Sequence, residues 1–199
     1  MSIRLKLRGG ALSPDAPFYT LSRMIVTETK RLILRRFTPE DAADNYRIYT
    51  DPDNMRFMGR RPDAVELERQ HILRHIANCY DRHDFGLWAV VLKENDRLIG
   101  RCGLLYHQIE GTREAEVTYL IDRHYWGRGL ATEAAREVVE LGFEKYKLPR
   151  LVAVINPENV ASVRVAEKVG MRYERDVNFQ DFGRVAMYAK ARDTTGIGK

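Results

Sequence analysis

The chain has 199 residues, of which 44% are hydrophobic, so it can bury one core but is too short for two ordinary domains. Its net charge of +5 comes from 33 basic residues interleaved with 28 acidic ones, which excludes a basic nucleic-acid-binding tail. We therefore expect that the protein does not bind nucleic acid in a sequence-specific way. The 2 cysteines cannot form a disulfide framework, and no apolar run has the about 20 residues that span a membrane, so we expect a cytoplasmic protein with no membrane partner.

Hydrophobic periodicity and turn residues predict seven strands and four helices in the order βααβββαβαββ. The predicted strands are Arg31–Phe37, Phe85–Lys93, Arg97–His107, Glu114–Ile121, Leu151–Ile155, Arg172–Val177 and Arg184–Ala189. The predicted helices run from Thr38 to about Tyr49, from roughly Asp63 to Tyr80, over Thr132–Tyr146, and from the N-cap Asn159 to Gly170. We expect one domain over residues 25–190, with an irregular leader at 1–24 and a tail at 191–199.

A glycine-rich segment, Tyr125–Gly129, joins the fourth predicted strand to the third predicted helix. Its glycines can adopt positive φ angles, and the free N–H groups of a first helical turn attract phosphate. The segment lacks the Lys-Ser/Thr ending of a Walker loop and the spacing of the dinucleotide fingerprint, so we predict a diphosphate-binding loop of another kind. The residues expected to bind the cofactor here are Trp126, Gly127, Arg128, Gly129, Leu130, Ala131 and Thr132.

Four segments, in the same order, resemble the GNAT superfamily of N-acetyltransferases, and within it the branch similar to the ribosomal-protein alanine acetyltransferases. One of them is the glycine-rich loop, Trp126–Ala134. The others are Glu28–Arg35 with Thr38–Asp41, Leu98–Gly103, and Asn159–Ser162 followed by Glu167–Met171. One residue departs from the pattern, because His124 stands where the superfamily usually has Gln or Arg.

The resemblance implies an α/β (α+β) fold with a mixed, mostly antiparallel sheet of six or seven strands and helices on both faces. It implies acetyl-CoA as cosubstrate, bound in a gap between the fourth and fifth strands. Backbone groups of Tyr119, Leu120 and Ile121 and the side chain of Asn159 would contact its pantetheine arm, with the N–H near Leu120 facing the thioester carbonyl. The expected reaction is acetyl transfer to a primary amine.

Acetyl transfer to an amine needs a base that keeps the amine neutral and an acid for the leaving thiolate. The resemblance places the base at Glu116 on the fourth strand, and Glu114 on the same face is the alternative. Much of the superfamily takes the acid from a helical tyrosine, but that position is Ala166 here, so the resemblance offers Ser162 instead. Neither cysteine lies at these places, which favours direct attack in a ternary complex over a covalent enzyme intermediate.

Potential metal ligands recur every four residues along the second predicted helix: His71, His75 and Cys79 lie on it, and His83 lies just past its end. Four ligands in one row cannot surround an ion tetrahedrally. We therefore expect a solvated helix face there and no metal.

Two other classes of protein stay open. A non-catalytic acyl-CoA-binding regulator would keep the phosphate loop without the acid–base pair, and the net charge of +5 permits a ribosome- or RNA-associated factor. The acceptor amine belongs to a protein N-terminus, including that of a ribosomal protein, or to a small molecule. Its site is implied to lie among the first two helices, the loop at 53–62 and the hairpin of the last two strands. Monomer and homodimer are both open.

Overall fold

A computed structural model describes residues 25–59 and 63–193, which contain eight strands in one mixed sheet. The strands are β1 (Ile25–Glu28), β2 (Leu32–Arg35), β3 (Leu87–Leu92), β4 (Arg97–Ile109), β5 (Thr112–Ile121), β6 (Arg150–Ile155), β7 (Arg172–Asn178) and β8 (Arg184–Ala191). Their spatial order is β1-β2-β3-β4-β5-β6-β8-β7. Every neighbouring pair is antiparallel except β5 and β6, which are parallel.

Helices lie on both faces of this sheet. They are α1 (Ala42–Thr50), α2 (Pro52–Met55), α3 (Val65–His75), α4 (Asp81–His83), α5 (Leu130–Glu144) and α6 (Val160–Lys168). A π-helical turn, Ile76–Tyr80, joins α3 to α4, and single 3-10 turns occupy Pro39–Asp41, Arg123–Tyr125 and Gln180–Phe182. Within the two described ranges, none of the helices has the length and hydrophobicity that crossing a membrane requires.

The long helix α5 covers one face of the sheet. Its apolar residues recur every three to four positions, and Leu130 and Val138 are almost completely buried in the same cluster as Trp88 and Val90 of β3. Burying each such aliphatic side chain contributes about 1.5–3 kcal/mol. The N-terminus of α5 is thereby held firmly at the end of β5.

Helices α1 and α3 pack on the opposite face. Side chains alternate along a strand, so Leu87 and Ala89 of β3 point away from the α5 side and join a cluster with Ile48 of α1 and Ile72 of α3. This second cluster includes Leu120 of β5. The face that carries α1 and α3 is therefore also the face on which residues 116, 118 and 120 of β5 lie.

The sheet opens between β5 and β6. A single register pair, Glu116 with Val152, joins the two strands. Although β6 continues to Ile155, the rest of β5 up to Ile121 is in register only with β4. A gap therefore runs along the C-terminal half of β5 towards the glycine-rich loop, where the resemblance places the pantetheine arm.

The predicted fold class is confirmed, with some differences in detail. The sheet has eight strands because Ile25–Glu28, a strand not predicted from the sequence, pairs with Leu32–Arg35. A short helix begins at Pro52, and the second predicted helix starts at Val65 and ends in the π-helical turn. The strand β8 runs to Ala191, two residues beyond the predicted end of that strand at Ala189. The predicted leader and residues 194–199 of the tail lie outside the described residues.

Candidate active site

The loop between β5 and α5 turns at two glycines in the left-handed conformation. Gly127 has a φ of 75° and Gly129 a φ of 74°, values that other residues rarely adopt. Gly129 is the N-cap of α5, whose first N–H groups lack helical acceptors. Among the described residues, a Cβ at Gly127 would meet nothing within 4 Å, and one at Gly129 would meet only Arg31 Nη2, at 3.8 Å. The space before the helix N-terminus is open to a diphosphate.

Arg31 is a cation at this loop that the sequence analysis did not assign. Its Nη1 donates to the Arg128 carbonyl at 2.9 Å, and its Nε donates to Glu133 at 2.6 Å. Burial alone would raise the pKa of Glu133, but hydrogen bonds from Thr29 and Arg31 outweigh this and lower it. Glu133 is therefore ionised at neutral pH and holds Arg31 beside the loop.

Two of the predicted cofactor-binding side chains contact other protein groups. Arg128 Nη2 lies 3.1 Å from Glu94 Oε2 across an exposed ion pair, so it must leave Glu94 to reach a phosphate. Trp126 Nε1 donates to the carbonyl of Ile121 at 2.6 Å, which fixes the loop to the end of β5. This bond engages the Ile121 carbonyl that was expected to face the pantetheine.

Asp122 anchors the beginning of the same loop. Its side chain is 2% exposed and accepts hydrogen bonds from Arg47 of α1 at 2.8 Å and from His124 Nδ1 at 2.8 Å. Burial tends to raise the pKa of Asp122, and these bonds outweigh it and lower the pKa. His124, the departure from the superfamily pattern, thus serves the internal geometry of the loop. The signal for Asp122 in the sequence was its place directly after a buried strand.

Tyr119 reaches across the gap to α6. Its hydroxyl donates to the backbone carbonyl of Ser162 at 2.9 Å, and burial raises its pKa, so the hydroxyl keeps its proton at neutral pH. Asn159 caps α6 by accepting from the Ser162 N–H at 3.2 Å, as the N-cap assignment predicted. Ala166 lies one turn further and is buried. The side chain of Tyr119 therefore supplies a hydroxyl at this end of α6, which the sequence analysis did not foresee.

Tyr119→Phe tests the bond across the gap. We expect the free energy of unfolding to fall by about 1 kcal/mol, because the Ser162 carbonyl loses its side-chain donor in a partly buried place. Urea denaturation measures the change. The matched control is Tyr173→Phe, because the Tyr173 hydroxyl donates to Asp176 on an exposed strand and should matter less. Equal effects of the two changes would contradict the prediction.

Glu116 and Glu114 are both buried on β5 but have different partners. Glu116 Oε2 lies 3.0 Å from Nε2 of His107 on β4, whereas Glu114 Oε2 lies 3.1 Å from the guanidinium of Arg150. Glu114 is thus paired with a permanent cation, whereas the partner of Glu116 is an imidazole. The arrangement favours Glu116 over Glu114 as a proton acceptor, and His107 is a neighbour that the sequence analysis missed.

The predicted base and the predicted oxyanion donor lie far apart. Glu116 and Leu120 are four residues apart on one strand, which corresponds to about 13 Å. A thioester carbonyl at the Leu120 N–H therefore cannot contact the Glu116 carboxylate directly. Proton transfer between the amine and Glu116 then requires a water relay along the strand face.

The row of potential metal ligands is not a solvated face throughout. His71 and His83 are exposed, but His75 is partly buried and its Nε2 accepts from the Leu87 N–H at 2.9 Å. The expectation of a solvated face is thus wrong for His75, because the ring of His75 connects α3 to the start of β3. In the described part of the chain, no group of three or more His, Cys, Asp and Glu is placed to hold a metal ion.

His75 makes stability depend on pH. Burial lowers its pKa from 6.5 to about 4, so the folded protein keeps the ring neutral where the unfolded chain takes up a proton. The neutral ring contributes fully to the free energy of unfolding above pH 6.5, and this contribution is lost as the pH falls towards about 4. The loss is at most about 3 kcal/mol. Unfolding of wild type and His75→Gln at pH 7.5 and pH 4.5 should show a shallower loss for the variant. His83→Gln, which changes an exposed ring outside the ion pairs of the described residues, should follow wild type; parallel curves for all three would refute the assignment.

A cavity of about 210 Å³ lies between α1, α3 and the strands β3 and β4. Its lining includes Asn45, Tyr49, Glu68, His75 and Arg101. Met58 and Gly59, which follow α2, close one side, and Gly59 lies against Phe182, since a Cβ there would be 3.4 Å from the Phe182 ring. This acceptor-side cavity, as we call it, is formed by the two helices and the loop that the resemblance assigns to the acceptor.

A mixed open sheet, a gap beside β5 and a glycine-rich loop leading into α5 together define the fold of an N-acetyltransferase. The chain belongs to the GNAT family, because the profile of the acetyltransferase (GNAT) domain matches residues 31–172.

Relatives agree with this assignment. The Uncharacterized protein YkkB of Bacillus subtilis is 34% identical over 75% of this chain and 86% of its own, and the Uncharacterized N-acetyltransferase YnaD of the same organism is 31% identical over 73% and 82%. The solved structure of RimL, a ribosomal L7/L12 α-N-protein acetyltransferase in complex with coenzyme A, has a TM-score of 0.69 at 18% identity. It covers 85% of this chain and 98% of that one, and at this identity it shows the fold alone. The protein is an N-acetyltransferase, and the superfamily resemblance is confirmed.

Proposed function

We propose that the protein transfers the acetyl group of acetyl-CoA directly to a primary amine within a ternary complex. The observation that carries the proposal is the gap beside β5, which connects the buried carboxylate of Glu116 to the open phosphate loop at Gly127 and Gly129. A cofactor of this length needs a long groove with an open end for its diphosphate.

The phosphate loop would hold the diphosphate through the N–H groups at the start of α5, over Leu130, Ala131 and Thr132. Arg31 and Arg128 add positive charge beside it. The pantetheine arm would continue along Tyr119 and Leu120 to Asn159, whose side-chain oxygen Oδ1 already caps α6. RimL holds coenzyme A within a similar fold, which supports the same cofactor here.

Glu116 would act as the base and draw a proton from the amine through water, with His107 beside it. The amine nitrogen then forms a bond to the thioester carbonyl carbon, the bond from that carbon to sulfur breaks, and the sulfur takes a proton. Ser162 is the proposed donor of that proton, and the Tyr119 hydroxyl lies at the same turn of α6. Catalysis by a hydroxyl here should be weaker than catalysis by Glu116, because positioning supplies much of the rate.

The cysteines support direct transfer. Cys102 is fully buried and Cys79 is partly buried, and in both cases burial raises the pKa of the thiol, so neither is a ready thiolate nucleophile. We therefore place no acetyl-enzyme on the pathway. The acceptor is the amine of a protein N-terminus, with a ribosomal protein among the candidates, or of a small molecule, and the cytoplasm is the proposed location.

The experiment that tests this function is release of free thiol from acetyl-CoA across a panel of primary amines and N-terminal peptides. We expect turnover with at least one acceptor, and mass spectrometry should show one added acetyl group on its amine. Tight acetyl-CoA binding without turnover on any acceptor would favour the acyl-CoA-binding regulator. RNA binding that weakens steeply with salt would favour the ribosome-associated factor.

A further inference from the structure

The acceptor-side cavity is lined by two opposite charges that do not neutralise each other. Glu68 is 4% exposed, and the only basic group within 4 Å of it among the described residues is His71, at 3.6 Å. Arg101 forms no ion pair with any described residue, and its buried Nε has no hydrogen-bond partner there. Its guanidinium lies over the ring of Tyr49, 5.1 Å from the centroid. A ligand that carries both charges would balance both groups at once.

Asn45 adds an acceptor that lacks a donor. It is 3% exposed, and its Nδ2 donates to Glu68 Oε1 at 2.6 Å. A carboxylate can only accept, so the amide nitrogen has to face Glu68. Oδ1 is then left without a donor in the described residues. A buried acceptor in this state costs about 1–3 kcal/mol, which an N–H group of a ligand in the cavity would recover.

We propose that this cavity binds the amino-acid headgroup of the acceptor, with the ammonium group at Glu68 and Asn45 and the carboxylate at Arg101. Each of the three protein groups then gains a charged or donating partner that the described residues do not supply, and the charges of the headgroup match those of the cavity. His75 does not disturb this balance, because burial lowers its pKa to about 4 and leaves it neutral.

The register of the sheet decides which amine is acetylated. Arg101 lies opposite Leu120, and opposite residues of an antiparallel pair are about 5 Å apart. A headgroup at Arg101 is therefore about one strand away from the gap, and the unbranched side chain of a diamino acid bridges that distance. The side-chain amine, and not the bound α-ammonium, attacks the thioester carbonyl carbon; the carbon–sulfur bond breaks, and the released thiol carries the proton. The acceptor class is thus a diamino acid, an inference that rests on the proposed function.

The first test compares acceptors that differ by one charge. Lysine and ornithine carry the whole headgroup, cadaverine lacks the carboxylate, and 6-aminohexanoate lacks the α-ammonium. We expect kcat/KM of the better diamino acid to exceed that of both truncated amines by about tenfold or more, with the acetyl group on the side-chain nitrogen by mass spectrometry. Equal kcat/KM values, or acetylation of the α-nitrogen, would overturn the inference.

The second test uses variants of the full chain. Glu68→Gln and Arg101→Met should each raise KM for the diamino acid by about tenfold. Each change should also reduce the ratio of kcat/KM for the diamino acid to kcat/KM for the truncated amine. Glu68→Gln can still accept from Asn45, so the fold should persist, and acetyl-CoA affinity by calorimetry should stay at the wild-type value. The matched control is Glu66→Gln, two residues away on the exposed side of α3. An unchanged KM in both variants would refute headgroup binding.

The two levels of the proposal fail differently. If acetyl-CoA does not bind and cadaverine is not acetylated, the proposed function is wrong and headgroup binding falls with it. If cadaverine is acetylated as well as lysine, the enzyme is an amine acetyltransferase and only the assignment of the cavity is wrong.

Discussion

Glu116→Gln is expected to lower kcat by about a hundredfold or more, the usual contribution of a general base. Glutamine has nearly the same shape and can keep a hydrogen bond to His107, but it cannot take the proton of the amine. The affinity for acetyl-CoA should not change, because Glu116 lies about 13 Å along β5 from the proposed position of the thioester at Leu120. Stopped-time assays of thiol release at saturating acetyl-CoA measure kcat.

Two further observations separate a base from a structural carboxylate. The rate of Glu116→Gln should rise with pH more steeply than that of wild type, because the acceptor amine then loses its proton to solvent. Glu114→Gln is the control on the same strand face, and its main effect should be on the ion pair with Arg150. If Glu116→Gln kept the wild-type kcat, or Glu114→Gln lost more, the base would be misassigned.

Gly129→Val is expected to weaken acetyl-CoA binding by at least about tenfold, or about 1.4 kcal/mol. Valine is disfavoured at a φ of 74°, and its branched side chain would occupy the open space before the N-terminus of α5. The loop is on the surface, so the fold should survive. Arg128→Ala should cost less, because that side chain is exposed and already paired with Glu94. Calorimetric titration of acetyl-CoA into each variant gives the ranking.

The chain contains a matched control for the backbone effect. Gly111, at the turn between β4 and β5, has a φ of 86° and, like Gly129, no close neighbour among the described residues that a Cβ would strike. Gly111→Val should therefore cost comparable stability without changing acetyl-CoA affinity. Equal affinity of wild type and folded Gly129→Val would show that this loop does not hold the cofactor.

Local patterns in the sequence were sufficient for much of the fold. The N-cap Asn159 and the C-terminal Gly170 enclose α6 as predicted, since caps depend on a few adjacent residues. The glycine-rich loop was located for the same reason, because positive φ angles leave a direct mark on composition. The edge strand β1 was missed because its pairing depends on β2, which follows a turn that carries no glycine or proline.

The parts of the site that the sequence did not reveal are contacts between distant elements. Arg31 reaches the phosphate loop across 97 residues of chain, and Tyr119 meets Ser162 across 43. No periodicity or spacing encodes such pairs, because they exist only after the sheet has brought the elements together. His75 shows the same limit: helical spacing placed it beside three other potential ligands, and the hydrogen bond with Leu87 decided its environment.

Helix α1 contacts both the acceptor-side cavity and the phosphate loop. Its residues Asn45 and Tyr49 line the acceptor-side cavity, while Arg47 holds Asp122 at the first residue of the phosphate loop. A shift of this helix therefore alters both surroundings at once. If such a shift couples the two sites, linkage makes the coupling reciprocal: acetyl-CoA and the acceptor change each other's binding affinity by the same factor. The Arg47–Asp122 pair is the contact that joins helix α1 to the start of the phosphate loop.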